Sequence, residues 1–118
     1  MIHMRPQTEG NYVEYEAEGK LTEEEHERVF TELKDRIHQY GTIRLLVVLP
    51  EFPSIEASAV NDRLRFAKEH LNSIDKYALV TDSKTASAAV TLYDKLAKTD
   101  FQTFSPDGLE QARAWVKE

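Results

Sequence analysis

Serine hydroxyls next to a predicted helix start are the first side chains of this 118-residue chain whose type and spacing favour chemistry. Ser54 and Ser58 follow the apolar run 43–49 and a turn with two prolines. A phosphate on either serine would lie at the positive end of a helix. Either hydroxyl can equally cap that helix by accepting a backbone hydrogen bond. Glu51 and Glu56 favour the cap, because like charge nearby disfavours a phosphate.

A second hydroxyl group follows the predicted strand 77–81. Ser83, Lys84 and Thr85 precede a predicted helix, so they form a candidate anion site with the helix amino terminus. The segment has no glycine to let a backbone wrap a phosphate, so it is not a nucleotide-binding loop. Capping by Asp82 or Ser83 is the simpler interpretation.

Other residue types that support catalysis or metal binding form no productive pattern. The chain has no cysteine, which excludes thiolate nucleophiles and disulfides. Its four histidines show no zinc-site or protease spacing. The glutamates at 23–27 fit the first turn of a helix, where they complement the dipole. We therefore predict a protein without catalytic residues, metal or cofactor.

Two phenylalanines stand apart from the predicted core. Phe52 lies in the turn after the apolar run, and Phe66 falls off the apolar stripe of the next predicted helix. A helix with apolar residues on two faces is typical of a partner-binding surface or a ligand pocket. Phe52 and Phe66 are therefore candidates for binding a protein partner, a second copy or a small apolar ligand.

These candidates depend on an α/β framework. The run 43–49 is almost entirely branched and apolar, which is typical of a strand buried in a parallel sheet. The segments 2–5 and 12–18 predict an antiparallel hairpin. Thr22 and Glu25 form a capping-box pattern before a helix that Gly41 ends.

The rest of the chain alternates helices with strands. Helices are predicted from between residues 54 and 58 to 71, over 86–98 and after 105–108, and strands over 77–81 and 101–104. This alternation predicts parallel strands joined by right-handed crossovers. The expected fold is a mixed five-strand sheet, mostly parallel with an antiparallel amino-terminal edge strand, covered by four helices.

Length and charge limit the function classes. We expect residues 1–118 to form one domain. Acidic residues outnumber basic ones by 21 to 15, giving a net charge of −6, and the basic residues are scattered. This disfavours binding to nucleic acid. The segments are too short for a membrane span and the amino terminus lacks a signal-peptide pattern, so we expect a soluble cytoplasmic protein.

Four short motifs are similar to a known family. They are GKLT at 19–22, GTIRLL at 41–46, FSP at 104–106 and ARAW at 112–115. With them the chain resembles the bacterial SpoIIAA-like branch of the STAS superfamily, which is similar to Sec14 and CRAL-TRIO domains. The resemblance implies a four-turn β-α superhelix with its sheet and helices in two layers.

The resemblance also implies a role. Anti-sigma factor antagonists of this superfamily carry a phosphorylated serine in an Asp-Ser-Ser-Gly setting. The matching region 52–59 contains Ser54 and Ser58 but neither the aspartate nor the glycine. The expected function is a non-enzymatic regulatory or protein-interaction module. The alternative is a Sec14-like carrier of a small apolar ligand or lipid.

Overall fold

Strands form the framework of the protein. The computed structural model describes residues 1–49, 54–55, 69–82, 84 and 100–118, with only the backbone described at 54–55 and 71. The strands are β1 (Ile2–Met4), β2 (Tyr12–Ala17), β3 (Lys20–Leu21), β4 (Ile43–Leu49), β5 (Ser54–Ile55), β6 (Ile74–Thr81) and β7 (Asp100–Phe104).

Five of these strands form one mixed sheet in the order β1-β2-β4-β6-β7. The β1–β2 pair is antiparallel, and β2, β4, β6 and β7 run parallel to one another. This confirms the predicted sheet and its antiparallel edge strand. β6 begins at Ile74, three residues before the predicted start at 77, because Ile74 and Lys76 already pair with β4.

The first helix, α1 (Glu23–Tyr40), begins and ends as predicted. The Thr22 hydroxyl accepts from the Glu25 amide at 3.1 Å, and a Glu25 carboxylate oxygen accepts from the Thr22 amide at 3.2 Å. At the other end Gly41 has a positive φ of 85° and donates its amide to the Ile37 carbonyl. Glycine tolerates that backbone conformation at no steric cost.

The two described α-helices pack on opposite faces of the sheet. α1 covers Val13 and Tyr15, whereas α2 (Leu109–Lys117) packs beside Tyr12. Because neighbouring strand residues point to opposite faces, α1 and α2 lie on different sides. The expectation of two layers is therefore wrong: the sheet is sandwiched between helices. The cause lies in β2, where residues 12–15 are all buried and both faces need a cover.

The second and third predicted helices lie largely outside the described residues. Glu69 and His70 are helical and lead into a 3₁₀ turn at Leu71–Ser73, and Lys84 is helical. The described residues therefore contain two of the four expected helices in full: the first, which is α1, and the last, which is α2.

A small second sheet excludes Ser54 as the start of the second predicted helix. β3 and β5 pair in parallel, with Lys20 opposite Ser54 and Leu21 opposite Ile55. Ser54 and the residue after it are extended, so Ser54 does not cap a helix. The local hydroxyl pattern suggested a cap, but backbone pairing with a strand thirty-four positions earlier determines the conformation.

Candidate functional site

Glu14 is the most deeply buried charged residue among those described. It lies in the middle of β2, and its side chain is 0% exposed. Strand alternation places it on the same face as Tyr12, beneath α2. A carboxylate removed from water is costly unless charged partners and hydrogen bonds compensate it.

Three side chains supply that compensation. Arg113 of α2 donates from Nε to one carboxylate oxygen at 3.0 Å and from Nη2 to the other at 2.9 Å. Arg5 Nε lies 3.0 Å from Glu14 Oε2, and the Tyr12 hydroxyl donates to Oε1. Each carboxylate oxygen of Glu14 therefore has two hydrogen-bonding or ionic partners.

The backbone around β2 aligns this cluster. The Arg5 amide donates to the Glu14 carbonyl at 2.8 Å, which continues the β1–β2 pairing past Met4. The Glu14 amide donates to the Thr8 hydroxyl at 3.0 Å. Arg5 is thus held where its guanidinium reaches both Glu14 and the half-exposed Glu16.

The contacts in this cluster favour the charged forms of Glu14 and Arg113 and the neutral form of Tyr12. Burial alone would raise the pKa of Glu14, but hydrogen bonds from Arg113 and Tyr12 and the charges of Arg113 and Arg5 lower it below its ordinary value. The same contacts raise the pKa of Arg113, mainly through its hydrogen bonds to Glu14. Burial and the neighbouring Glu14 raise the pKa of Tyr12. These shifts move the pKa values of Glu14, Arg113 and Tyr12 away from neutral pH, which suits a cluster that fastens α2 to the sheet.

Two more cations fasten the carboxyl end of α2. Arg44 of β4 donates to the Val116 carbonyl at 2.8 Å, and Lys76 of β6 donates to the Trp115 carbonyl at 3.0 Å. These carbonyls belong to the last turn of the helix, which lacks intrahelical partners and carries the negative dipole end. Lys76 also lies 5.0 Å from the centre of the Trp115 ring. The cationic contacts therefore anchor the middle and the carboxyl end of α2.

The carboxyl edge of the parallel sheet, where sequence reasoning placed function, contains a different feature. Thr81 ends β6 in register with Leu49 of β4, and it is 1% exposed. Its hydroxyl has no hydrogen-bond partner, and among the described side chains the buried Tyr15 hydroxyl shares that state. Buried hydroxyls are normally paired, so both positions are unusual.

The residues predicted as binding or modification sites are only partly described. Ser54 lies in β5 and Lys84 is helical and exposed. The other predicted residues fall outside the described part of the chain; they are Phe52, Ser58, Phe66, Ser83 and Thr85. The structure therefore does not test the proposed surface at Phe52 and Phe66, the phosphoacceptors or the anion site.

Neither a metal site nor a membrane-spanning helix is found within residues 1–49, 54–55, 69–82, 84 and 100–118. No three histidine or acidic side chains are grouped so that they could hold an ion. No helix there is both long and apolar enough to cross a bilayer.

Comparison with known proteins identifies the family. A family model described as SpoIIAA-like matches residues 12–117. The chain belongs to the SpoIIAA-like family. No curated relative matches the sequence.

A solved structure supports the same fold. The SpoIIAA-like chain is similar to the crystal structure of an uncharacterized protein of the DUF3478 family, with a SpoIIAA-like fold, from Shewanella loihica PV-4. The TM-score is 0.79 at 20% sequence identity, and the match covers 98% of this chain and 92% of the other. At that identity the likeness concerns the fold.

Sequence reasoning missed the Glu14 cluster. In the sequence, Glu14 and Glu16 alternate with apolar residues, which is the pattern of a strand with one face in water. The signal that marks Glu14 is Tyr12 two positions earlier, since a large side chain on the supposedly wet face indicates a second core there. Arg113 lies in the ARAW motif, where it was recognised only as part of the resemblance.

Proposed function

We propose that this SpoIIAA-like chain is a non-enzymatic regulatory or protein-interaction module. The observation that carries the proposal is the state of its buried charges. Glu14 has both oxygens occupied by Arg113, Arg5 and Tyr12, and its lowered pKa suits a structural ion pair. A general acid or base needs a pKa near the working pH and a free position for the substrate.

The interaction surface is assigned to the region after β4 that contains Phe52 and Phe66. Support comes from the carboxyl half of β4, where Val47, Val48 and Leu49 are only half-buried although the apolar residues of the first half are buried. In parallel sheets, binding sites lie beyond the carboxyl ends of the strands. The chain leaves β4 at that edge, so Phe52 follows three residues after the strand ends.

The test combines Phe52→Ala with Phe66→Ala. Multi-angle light scattering reports self-association, and affinity capture from the source cell reports partners. Tyr40→Ala is the matched control, because Tyr40 is 47% exposed at the far end of α1. We expect the double variant, and not the control, to lose an association. If oligomeric state and captured partners are unchanged in both, this surface is abandoned.

Phosphorylation of Ser54 or Ser58 is a separate part of the proposed regulation. Ser54 lies in β5, so a phosphate there would not be at a helix start. Ser58 is therefore the better acceptor of the two. Intact-mass analysis of protein from its own cells, compared with Ser58→Ala and Ser54→Ala, would show a phosphate lost only in Ser58→Ala. Unmodified wild-type protein would rule out this regulation under the growth conditions used.

A small apolar ligand is the alternative to a protein partner in the region beyond β4. The half-buried residues Val47, Val48 and Leu49 leave apolar surface at the carboxyl end of β4, and a carrier requires an apolar lining of this kind around a pocket. Native mass spectrometry of the purified protein distinguishes the two roles. A co-purified lipid of defined mass supports a carrier, whereas ligand-free protein that still associates with a partner supports the interaction module.

A further inference from the structure

The two edge strands of the main sheet differ in how their outer backbone groups are protected from pairing with another strand. At the β1 edge, the Ile2 amide donates to Glu25 Oε2 at 2.9 Å, and the Arg28 guanidinium donates to the Ile2 carbonyl. Side chains of α1 therefore occupy backbone groups that another strand would need. β1 is also only three residues long, which limits pairing further.

β7, the other edge strand, is longer, and its sequence lacks the prolines and lysines that commonly protect an edge. Its five residues, Asp100–Phe104, contain no proline, glycine, lysine or arginine. The inner edge pairs with β6 from Lys76 to Val80, and among the described residues no strand pairs with the outer edge. Asp100 and Gln102 are exposed. A regular edge strand of this kind is a template for another strand.

We propose that β7 is a homodimerisation edge, at which β7 of a second copy pairs antiparallel to form one continuous ten-stranded sheet. A two-fold axis at Gln102 makes the contact self-complementary, as symmetric dimers require. Asp100 then lies opposite Phe104 of the second copy, Phe101 lies opposite Thr103, and the two Gln102 side chains face each other.

Charge is compatible with this register and disfavours the one that pairs Asp100 with itself. In this register Asp100 of one copy and Asp100 of the second copy are offset by four residues, which is about 13 Å along the strand. This exceeds the screening length of about 8 Å at physiological salt, so the two aspartates barely repel each other. A shift that placed Asp100 opposite Asp100 would put like charges in contact, which is destabilising.

Aromatic contacts hold the side chains of β7 on both faces. Phe101 packs edge-on against Tyr77 with ring centres 5.3 Å apart, and Phe104 packs against Trp115 at 5.9 Å. The strand is therefore ordered before it pairs, which reduces the entropy lost on association. In the dimer, Phe101 opposite Thr103 is an aromatic and β-branched pair, a combination that stabilises antiparallel strands. This edge involves neither Phe52 nor Phe66, so the inference is independent of the proposed function.

The absence of cysteine allows a direct test. Gln102→Cys introduces the only thiol of the chain. Residues directly opposite in an antiparallel pair have Cα atoms about 4.5–5.5 Å apart, within the range that a disulfide spans. His3→Cys is the control, because His3 is 48% exposed on the other edge strand. We expect mild oxidation to link Gln102→Cys into dimers at least tenfold faster than His3→Cys.

Solution mass provides the second readout. We expect wild-type protein to have twice the chain mass of 13.6 kDa in light scattering at high concentration. Gln102→Lys places like charges opposite each other, so this variant should be a monomer in light scattering while circular dichroism shows that it is folded. Gln102→Thr should remain a dimer. A monomeric wild type, equal cross-linking of the two cysteine variants or a dimeric Gln102→Lys would each overturn the proposal.

Discussion

Arg113 on the last helix and Glu14 on the second strand, 99 positions apart in the chain, form a two-point ion pair inside the protein. The planar guanidinium matches the two carboxylate oxygens, so the contact fixes both distance and orientation. α2 packs on the sheet with Ala112 and Val116 buried and with Leu109 and Trp115 partly buried. Its position therefore depends on this ion pair as well as on apolar packing.

Removing the buried carboxylate charge tests this dependence. We expect Glu14→Gln to lower the free energy of unfolding by about 3 kcal/mol, because Arg113 and Arg5 lose their buried counter-charge. Urea denaturation measures the change. Glu16→Gln is the control: Glu16 is 31% exposed, so its loss costs at most about 1 kcal/mol. Equal effects of the two substitutions would contradict a special role for Glu14.

Replacing the guanidinium by an ammonium tests the two-point geometry. We expect Arg113→Lys to cost about 2 kcal/mol, because lysine keeps the charge but cannot match both carboxylate oxygens. Amide hydrogen exchange should accelerate in α2 more than in α1. Arg28→Lys, which alters an arginine 54% exposed on α1, serves as the control. Uniform acceleration throughout the protein would indicate general destabilisation instead of a loosened helix.

Acid should reduce the contribution of Glu14. Its pKa in the folded protein is lowered, so the unfolded chain binds the proton more tightly. The stabilisation is fully present above the ordinary carboxyl pKa of about 4.3 and is lost as the pH falls through the lower folded pKa. The stability difference between wild type and Glu14→Gln should therefore narrow on acidification. The lowered pKa of Glu25 acts in both proteins and cancels. A difference that stays constant down to acid-induced unfolding would show that the charge is not responsible.

The capping box gives a local prediction. Thr22→Ala removes the hydroxyl that accepts from the Glu25 amide, so we expect a loss of about 1 kcal/mol in thermal or urea unfolding. Thr31→Ala is the matched control, since Thr31 is exposed within α1 and alanine is the better helix former there. The control should be neutral or slightly stabilising; a loss equal to that of Thr22→Ala would refute the capping role.

Local patterns predicted most of the framework, because its signals are local in the chain. The run 43–49, the Thr22–Glu25 pair and Gly41 each specify backbone geometry through neighbouring residues, and β4 and α1 follow them. The two-layer expectation came from the family resemblance and not from a local pattern, and the packing of α2 on the face opposite α1 overturns it.

Those local patterns could not predict contacts between residues that are far apart in the sequence. The contact of Arg113 with Glu14 depends on how a helix returns across the sheet, and the position of Ser54 depends on pairing with Lys20. The polar residues Asp75 and Lys76 hid the start of β6, because they interrupt its apolar pattern. Lys76 lies in the strand because its ammonium group donates to the Trp115 carbonyl. Each of these polar residues has a partner far away in the sequence.

The proposed interaction surface is tested most directly by site-specific photo-cross-linking in the source cell. A photoreactive phenylalanine derivative replaces Phe52 in one strain and Tyr40 in another, and cross-linked products are compared by mass spectrometry. We expect one discrete protein, or a second copy of this chain, to be linked at position 52 and not at position 40. No product at position 52, or the same products at both positions, would contradict a binding surface there.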